Sequence, residues 1–224
     1  MPTSHLYQLD TIVGLIVETR PANLLDIGVG FGKYGVLARE FLELWQDDKH
    51  YHEWQTRIDG IEIHSDYLTP LHEFVYDNVY VGDARTLLPD LDCAYDLILL
   101  IDVLEHFEFD EGKELLQRCL ERGRNLIVST PADETEQSTR FENPHEQHRS
   151  HWTPRDMKNL PGAFFVTNRS SLICFAGENA GEIGRKFKKH RATTAFREGL
   201  PALNAASRRI KKTRRAWRKT GAPE

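Results

Sequence analysis

Cysteine is scarce in this chain of 224 residues, where Cys93, Cys119 and Cys174 are the only three. They are far apart, match no zinc-ligand spacing and sit among apolar residues, so they are expected to be core thiols in a reducing compartment. Long apolar runs are missing as well. The longest, Leu97 to Ile101, is far too short to span a bilayer, and no basic segment precedes an apolar one near the N-terminus. Neither a membrane span nor an export signal is therefore expected, and no repeat or low-complexity stretch interrupts the first 184 residues. What remains is a cytoplasmic chain whose 40% hydrophobic content can bury one substantial core.

The net charge of −5 conceals an asymmetry. Residues 185–224 hold 14 of the 29 Lys and Arg but only Glu198 and Glu224 among the 34 acids, about +12 against about −17 for the remainder. This divides the chain into a domain over 1–184 and a basic extension over 185–224. Within the extension, Leu203, Ala206, Ile210 and Trp217 recur at near-helical intervals among Arg and Lys. Three uses compete: a solvated extension, a helix on an anionic membrane surface, and a nonspecific, salt-sensitive contact with nucleic acid.

Periodicity predicts the elements of the first part. Leu6–Thr19 has helical spacing and stops before Pro21, and Asn23–Ile27 is a short strand ending in a glycine cluster. Lys33–Trp45 follows as a helix with Val36, Leu37, Phe41 and Leu44 on one face. Strands are predicted over Arg57–His64, Val79–Val81, Tyr95–Ile101 and Asn125–Ser129, with helices over Asp66–Phe74 and Asp110–Arg122. The apolar run Tyr95–Ile101 requires helices on both faces and so belongs at the centre of a sheet. Thr153 and Pro154 start a short helix to Leu160, and Ala163–Thr167 with Ser171–Phe175 forms a closing hairpin. The fold class is α/β: a mostly parallel, Rossmann-like sheet with helices on both faces and one antiparallel edge.

The sharpest motif is Leu24-Leu25-Asp26-Ile27-Gly28-Val29-Gly30-Phe31-Gly32, an acid near a strand end followed by glycines that let a ligand press on the backbone. In open α/β sheets nucleotides bind beyond the carboxyl ends of the strands, where this motif lies. The dinucleotide spacing G-x-G-x-x-G fails from Gly28, because the third position is Lys33. It is met by Gly30, Gly32 and Gly35, two residues late. Asp26 argues further against a pyrophosphate, which a carboxylate repels, and for a cationic ligand, which it attracts. Glu62, Asp83 and Asp102 then close three further strands. Glu62 can accept from ribose hydroxyls and Asp83 from an adenine amino group, although each acid alone could equally be a solvated loop residue or a helix cap.

Together LLDIGVGFG, GIEIH, VGDA, YDLILLIDVLEHF and NLIVSTP resemble the successive motifs of class I S-adenosylmethionine-dependent methyltransferases, over roughly residues 23–176. The resemblance implies a seven-stranded sheet and S-adenosylmethionine as cofactor. It places Asp26, Gly28, Val29, Gly30 and Gly32 around the methionine part, Glu62 and Ile63 at the ribose, Asp83 and Ala84 near the adenine, and Asp102 in the pocket wall. Asp47–Trp54 lengthens the connection between the first two strands beyond the usual spacing, so Glu62 is assigned by local sequence.

Methyl transfer is an in-line displacement for which positioning supplies most of the catalysis, with a base needed for a protonated acceptor. Asp102, Glu105 and His106 resemble the acidic-His motif of small-molecule methyltransferases. His148 is the first candidate base and His106 the second. The alternative is that His106 only hydrogen-bonds its loop, while His145, His148 and His151 pack or face solvent. Asp102, Glu105, His106 and His148 could instead hold a divalent metal, an arrangement distantly similar to the metal-dependent small-RNA 2′-O-methyltransferases. The expected reaction is methylation of an oxygen or nitrogen of a small-molecule or glycan-type acceptor. The rivals are an RNA methyltransferase guided by the basic extension, an inactive S-adenosylmethionine-binding protein, and an NAD oxidoreductase. Oligomeric state is not legible.

Overall fold

A run of five large aliphatic residues has no polar side to offer water, and β4 (Leu97–Ile101) accordingly lies buried along its whole length. The computed structural model describes residues 4–44, 53–139, 143–191 and 193. β1 (Asn23–Ile27) flanks β4 in parallel, with Leu24 opposite Leu97. β5 (Asn125–Pro131) flanks its other side, also parallel, with Ile98 opposite Leu126. β2 (Arg57–Glu62) and β3 (Asn78–Val81) extend the sheet beyond β1. β7 (Ser171–Gly177) runs antiparallel between β5 and β6 (Phe164–Thr167). The resulting seven-stranded order is β3-β2-β1-β4-β5-β7-β6. Connections leave β1 toward β2 and leave β4 toward β5, so the direction of winding reverses between β1 and β4 and opens a crevice at their carboxyl ends.

The helices depart from the periodicity reading in instructive ways. A 3₁₀ turn at Leu6–Gln8 leads into α1 (Leu9–Thr19), which ends at Arg20 in a left-handed conformation, φ 47°. α2 (Lys33–Arg39) passes into a π-helical turn at Glu40–Leu44. Its buried face is Tyr34, Gly35, Ala38 and Arg39, not the expected Val36, Leu37, Phe41 and Leu44. Two contacts explain the rotation. Gly35 leaves room for the Tyr76 ring, which any Cβ there would strike. Arg39 tolerates burial because Val75 O at 2.8 Å, Asp77 at 2.8 Å and Glu43 at 2.9 Å accept from its guanidinium.

α3 (Pro70–Val75) begins four residues later than expected, at a proline capped by Thr69, and a separate 3₁₀ turn covers Ser65–Tyr67. α4 (Ala84–Leu87) was not foreseen. α5 (Phe109–Arg122) and α6 (Pro154–Met157) follow, the latter stopping short of Leu160. Cys119 and Cys174 are fully buried core thiols, whereas Cys93 is partly buried on a loop and packs against the edge of the core. Among the described residues no helix is long and apolar enough to cross a membrane. The chain divides into two units, 1–184 and 185–224. In the second, residues 185–191 are helical, and the amphipathic stretch Leu203–Trp217 lies outside the described residues, as do Trp45 and most of Asp47–Trp54.

Candidate cofactor and acceptor site

The turn after β1 is built from left-handed glycines: Gly28, Gly30 and Gly32 have φ of 76°, 51° and 79°. This path brings their amides to β2, where Ile61 O accepts from Gly28 N at 2.8 Å and Glu62 Oε2 from Gly30 N at 2.9 Å. A Cβ at Gly28 would collide with Val103, so the close approach of this loop to the one after β4 also requires glycine. His72 secures the loop from the other side. Its Nδ1 accepts from Thr69 N at 3.0 Å, which leaves Nε2–H to donate to Gly30 O at 3.0 Å.

Above this loop lies a cavity of about 250 Å³. Its walls are the carboxyl ends of four consecutive strands: Gly28 to Gly30 after β1, Glu62 and Ile63 after β2, Gly82 to Ala84 after β3, and Asp102 and Val103 after β4. Each acid in the wall is held differently. Glu62 is 4% exposed, and His64 N donates to its Oε1 at 2.9 Å. Burial raises its pKa, a rise that the His64 and Gly30 amides oppose. Asp83 caps α4, accepting Arg85 N at 2.8 Å and the Arg85 guanidinium at 2.7 Å. Burial opposes its ionisation, but these bonds outweigh burial and hold its pKa below the usual value.

Asp102 adopts φ 53°, a left-handed conformation that Asp tolerates better than most side chains. Gln8 Nε2 donates to its Oδ2 at 2.7 Å, and Ser129 Oγ lies 3.0 Å from its Oδ1. Lys33 also lines the cavity, with Nζ bonded to Ser4 O at 2.7 Å. Burial lowers the Lys33 pKa and the Asp102 charge counters it.

At the other end, the loops after β4 and β5 are docked together. Trp152, 1% exposed and stacked on Phe109 at 4.5 Å, anchors the returning segment. The backbone oxygen of Glu105 accepts from Arg149 N at 2.8 Å and Ser150 N at 3.2 Å, and Ser150 Oγ donates to Phe107 O at 2.8 Å. His106 lines the cavity, its Nδ1 3.2 Å from Gln147 O. His148 stands behind it with ring centroids 5.1 Å apart, its Nδ1 2.7 Å from Thr135 O. Burial, followed by the proximity of His148, lowers the His106 pKa and favours the neutral ring. Tyr67 Oη donates to Glu146 Oε1 at 2.9 Å and accepts from Asn143 Nδ2 at 3.1 Å, closing the side between β2 and β5.

Solved structures share this architecture. An O-methyltransferase family protein from Burkholderia thailandensis aligns over 75% of this chain with a TM-score of 0.53 and 12% identity. A SAM-dependent methyltransferase from Archaeoglobus fulgidus aligns over 70% of this chain and 86% of its own, with a TM-score of 0.50 and 15% identity. Magnesium protoporphyrin IX methyltransferase from Synechocystis PCC 6803, solved with bound S-adenosylhomocysteine, aligns over 76% of this chain and 81% of its own, with a TM-score of 0.51 and 16% identity. The chain has the class I methyltransferase fold. It spans about half of the Burkholderia protein, 55% of that chain. No protein-family model and no curated protein matches it.

On this methyltransferase fold, most of the residues singled out from sequence meet in one cavity. Gly28, Val29, Gly30, Glu62, Ile63, Asp83, Ala84, Asp102 and His106 all line it, while Asp26, Gly32 and His148 do not. Gly32 serves as the N-cap of α2. Asp26 is turned away by strand alternation: Leu25 and Ile27 enter the main core, and Asp26 faces the Tyr76 hydroxyl, which donates to it at 2.7 Å. Tyr67, Lys33, Arg85, Asn143, Glu146 and Arg149 line the cavity without having been singled out. Arg149, Asn143 and Glu146 fall inside a segment already suspected from its histidines; Tyr67 carried no local signal.

The burial of Asp26 has a measurable consequence for stability. Burial lifts its carboxyl to about 7, against the Tyr76 hydrogen bond, and the Glu62 charge adds to the rise. A folded pKa above the unfolded value means that ionisation disfavours the native state. The penalty is absent below the unfolded pKa near 4, grows as pH rises through 7, and is constant above that. Asp26→Asn keeps an acceptor for Tyr76 and removes the charge. Its melting temperature relative to wild type is expected to rise by several degrees between pH 4.5 and pH 8; a difference that stays flat across that range would mean the carboxyl ionises at an ordinary pKa.

Proposed function

We propose that the chain transfers the methyl group of S-adenosylmethionine to an oxygen or nitrogen of a small-molecule or glycan-type acceptor. The observation that carries this reading is the gathering of Glu62, Asp83 and Asp102 around one cavity floored by left-handed glycines. Lys33, Arg85 and Arg149 also line it, with Arg85 paired to Asp83, so the carboxylates of Glu62 and Asp102 are what favour a ligand bearing an ammonium and a sulfonium over a pyrophosphate. Glu62 has lone pairs left over for two ribose hydroxyls, Asp83 and Ala84 border the adenine, and Asp102 faces the ammonium. The glycine amides and Val29 pack against the methionine part.

In the reaction, a lone pair of the acceptor attacks the methyl carbon in line with the departing sulfur. The S–C bond breaks onto sulfur, the sulfonium becomes a neutral thioether, and the acceptor proton is lost when there is one. Holding the acceptor in line supplies most of the rate, on the order of 7–11 kcal/mol for a well-oriented pair. His106 lines the cavity at the acceptor end with His148 behind it, so in the metal-free site His106 is the group placed to take the acceptor proton. The Tyr67–Asn143–Glu146 network narrows that end, which favours a small acceptor. A nucleic-acid acceptor draws its support from the charge of residues 185–224 alone.

Calorimetric titration with S-adenosylhomocysteine tests the proposal. Micromolar, one-to-one binding is expected, with none for NAD; a folded protein that ignores S-adenosylhomocysteine, or prefers NAD, would overturn it.

A further inference from the structure

Two side chains at the acceptor end have unfinished chemistry. Glu105 is 2% exposed, and its Oε2 makes no hydrogen bond of good geometry among the described residues, although the Thr130 hydroxyl, likewise buried without one, is near enough to act on the carboxyl. An ionised carboxylate in that position costs several kcal/mol unless a cation or donor meets it. His106 and His148 each set Nδ1 against a backbone oxygen, of Gln147 at 3.2 Å and of Thr135 at 2.7 Å. That holds the proton on Nδ1 and leaves the Nε2 lone pair without a proton, the second-sphere arrangement that metal-binding histidines use. One donor atom from each of Glu105, His106 and His148 falls within 4.8 Å of the other two.

We infer that Glu105, His106 and His148 bind one divalent transition-metal cation at the acceptor end of the cavity. Bonds of about 2.0–2.2 Å put tetrahedral donors roughly 3.5 Å apart, so the three draw together slightly around the ion. Two imidazoles with one carboxylate suit Zn²⁺, Fe²⁺ or Mn²⁺ better than Mg²⁺ or Ca²⁺. The frame is in place before the ion arrives, because the Glu105 backbone oxygen already ties the two loops through Arg149 and Ser150. Asp102, the fourth ligand suggested by sequence, is not part of the cluster. Its left-handed backbone aims it at Gln8 and Ser129 instead.

Three protein donors leave coordination positions open, and of the three His106 lines the cavity. A hydroxyl oxygen bound there gives up its proton to solvent more readily, which would make the acceptor a better nucleophile. That use of the ion rests on the methyl-transfer reading; the binding site does not.

The test uses tag-free, full-length protein stripped with chelator and titrated with Co²⁺, followed by visible absorption, with Zn²⁺ as competitor. One equivalent is expected to bind at micromolar concentration or below, displaced by Zn²⁺, and at least tenfold more weakly in both Glu105→Gln and His148→Ala. S-adenosylhomocysteine titrations on the same samples report the cofactor pocket separately. Absence of stoichiometric Co²⁺ binding in a protein that circular dichroism reports as folded, or equal binding by wild type and both variants, would overturn the metal site. Co²⁺ binding without S-adenosylhomocysteine binding would leave the site standing and remove the methyl-transfer reading.

Discussion

Glu62→Gln is expected to weaken S-adenosylhomocysteine binding by about tenfold or more. Each carboxylate oxygen of Glu62 already takes one backbone amide, Gly30 N at 2.9 Å and His64 N at 2.9 Å. The lone pairs that remain are the ones available to ribose. Glutamine keeps one oxygen but replaces the other with an NH₂ group, which sets a donor against either the Gly30 or the His64 amide and leaves one ribose hydroxyl without its acceptor. Hydrogen bonds to a charged acceptor contribute about 1.5–3 kcal/mol each. Losing one therefore costs roughly tenfold at the low end. Stability feels two opposed effects: the substitution breaks one backbone hydrogen bond, while burial raises the Glu62 pKa and so disfavours its ionised form in the folded protein. A neutral side chain escapes that penalty. Binding within fivefold of wild type would remove Glu62 from the ribose role and leave it as a brace for the glycine loop.

What the sequence made legible follows from the range over which the physics acts. β4 needed nothing beyond its own five aliphatic residues to be recognised as central, and the glycines after β1 advertised their left-handed turn locally. The acids at strand ends were visible because the pattern of apolar runs located those ends. The side from which each acid is held was not visible. Asp26 is bonded by Tyr76, 50 positions away, and Asp102 by Gln8, 94 positions away. The alternation of Leu25 and Ile27 already implied that Asp26 points to the other face of β1. That clue was outweighed by its closeness to the glycines. α2 failed for a related reason: its buried face includes Arg39, which apolar periodicity places outside, and only the assembled ring of Val75, Asp77 and Glu43 makes its burial tolerable.

The acceptor end was partly legible. Asp102, Glu105 and His106 lie close in sequence, and His148 lies within a histidine-rich segment, so both halves of the cluster were noticed. Their union depends on Trp152 docking beside Phe109 and on the Glu105 backbone oxygen capturing two amides. Those contacts leave no trace in local composition. They also decide which acid joins the histidines. Glu105 is drawn into the cluster by the 3₁₀ turn Leu104–His106, whereas Asp102 is turned out of it one residue past the strand.

Asp102→Asn separates charge from geometry at the methionine end. Asparagine tolerates the left-handed backbone that Asp102 adopts, and its amide oxygen still accepts from Gln8, so the loop is expected to keep its path. What is lost is the negative charge proposed to face the ligand's ammonium. In a partly buried cavity that attraction is worth about 1.4–3 kcal/mol, which corresponds to S-adenosylhomocysteine binding roughly 10- to 100-fold more weakly. 5′-Methylthioadenosine has the same adenine, ribose and thioether sulfur but no amino-acid part, and its affinity is expected to stay within about twofold of wild type. Glu62→Gln, by contrast, weakens both ligands. Equal losses for the two ligands in Asp102→Asn would mean that Asp102 acts through its side-chain contacts with Gln8 and Ser129. No loss for either would place the ammonium elsewhere, nearest the glycine turn. The selective loss would fix the direction of the cofactor in the cavity, adenine toward Asp83 and methionine toward Asp102, and thereby set the reactive sulfur between the glycine loop and the histidines at the acceptor end.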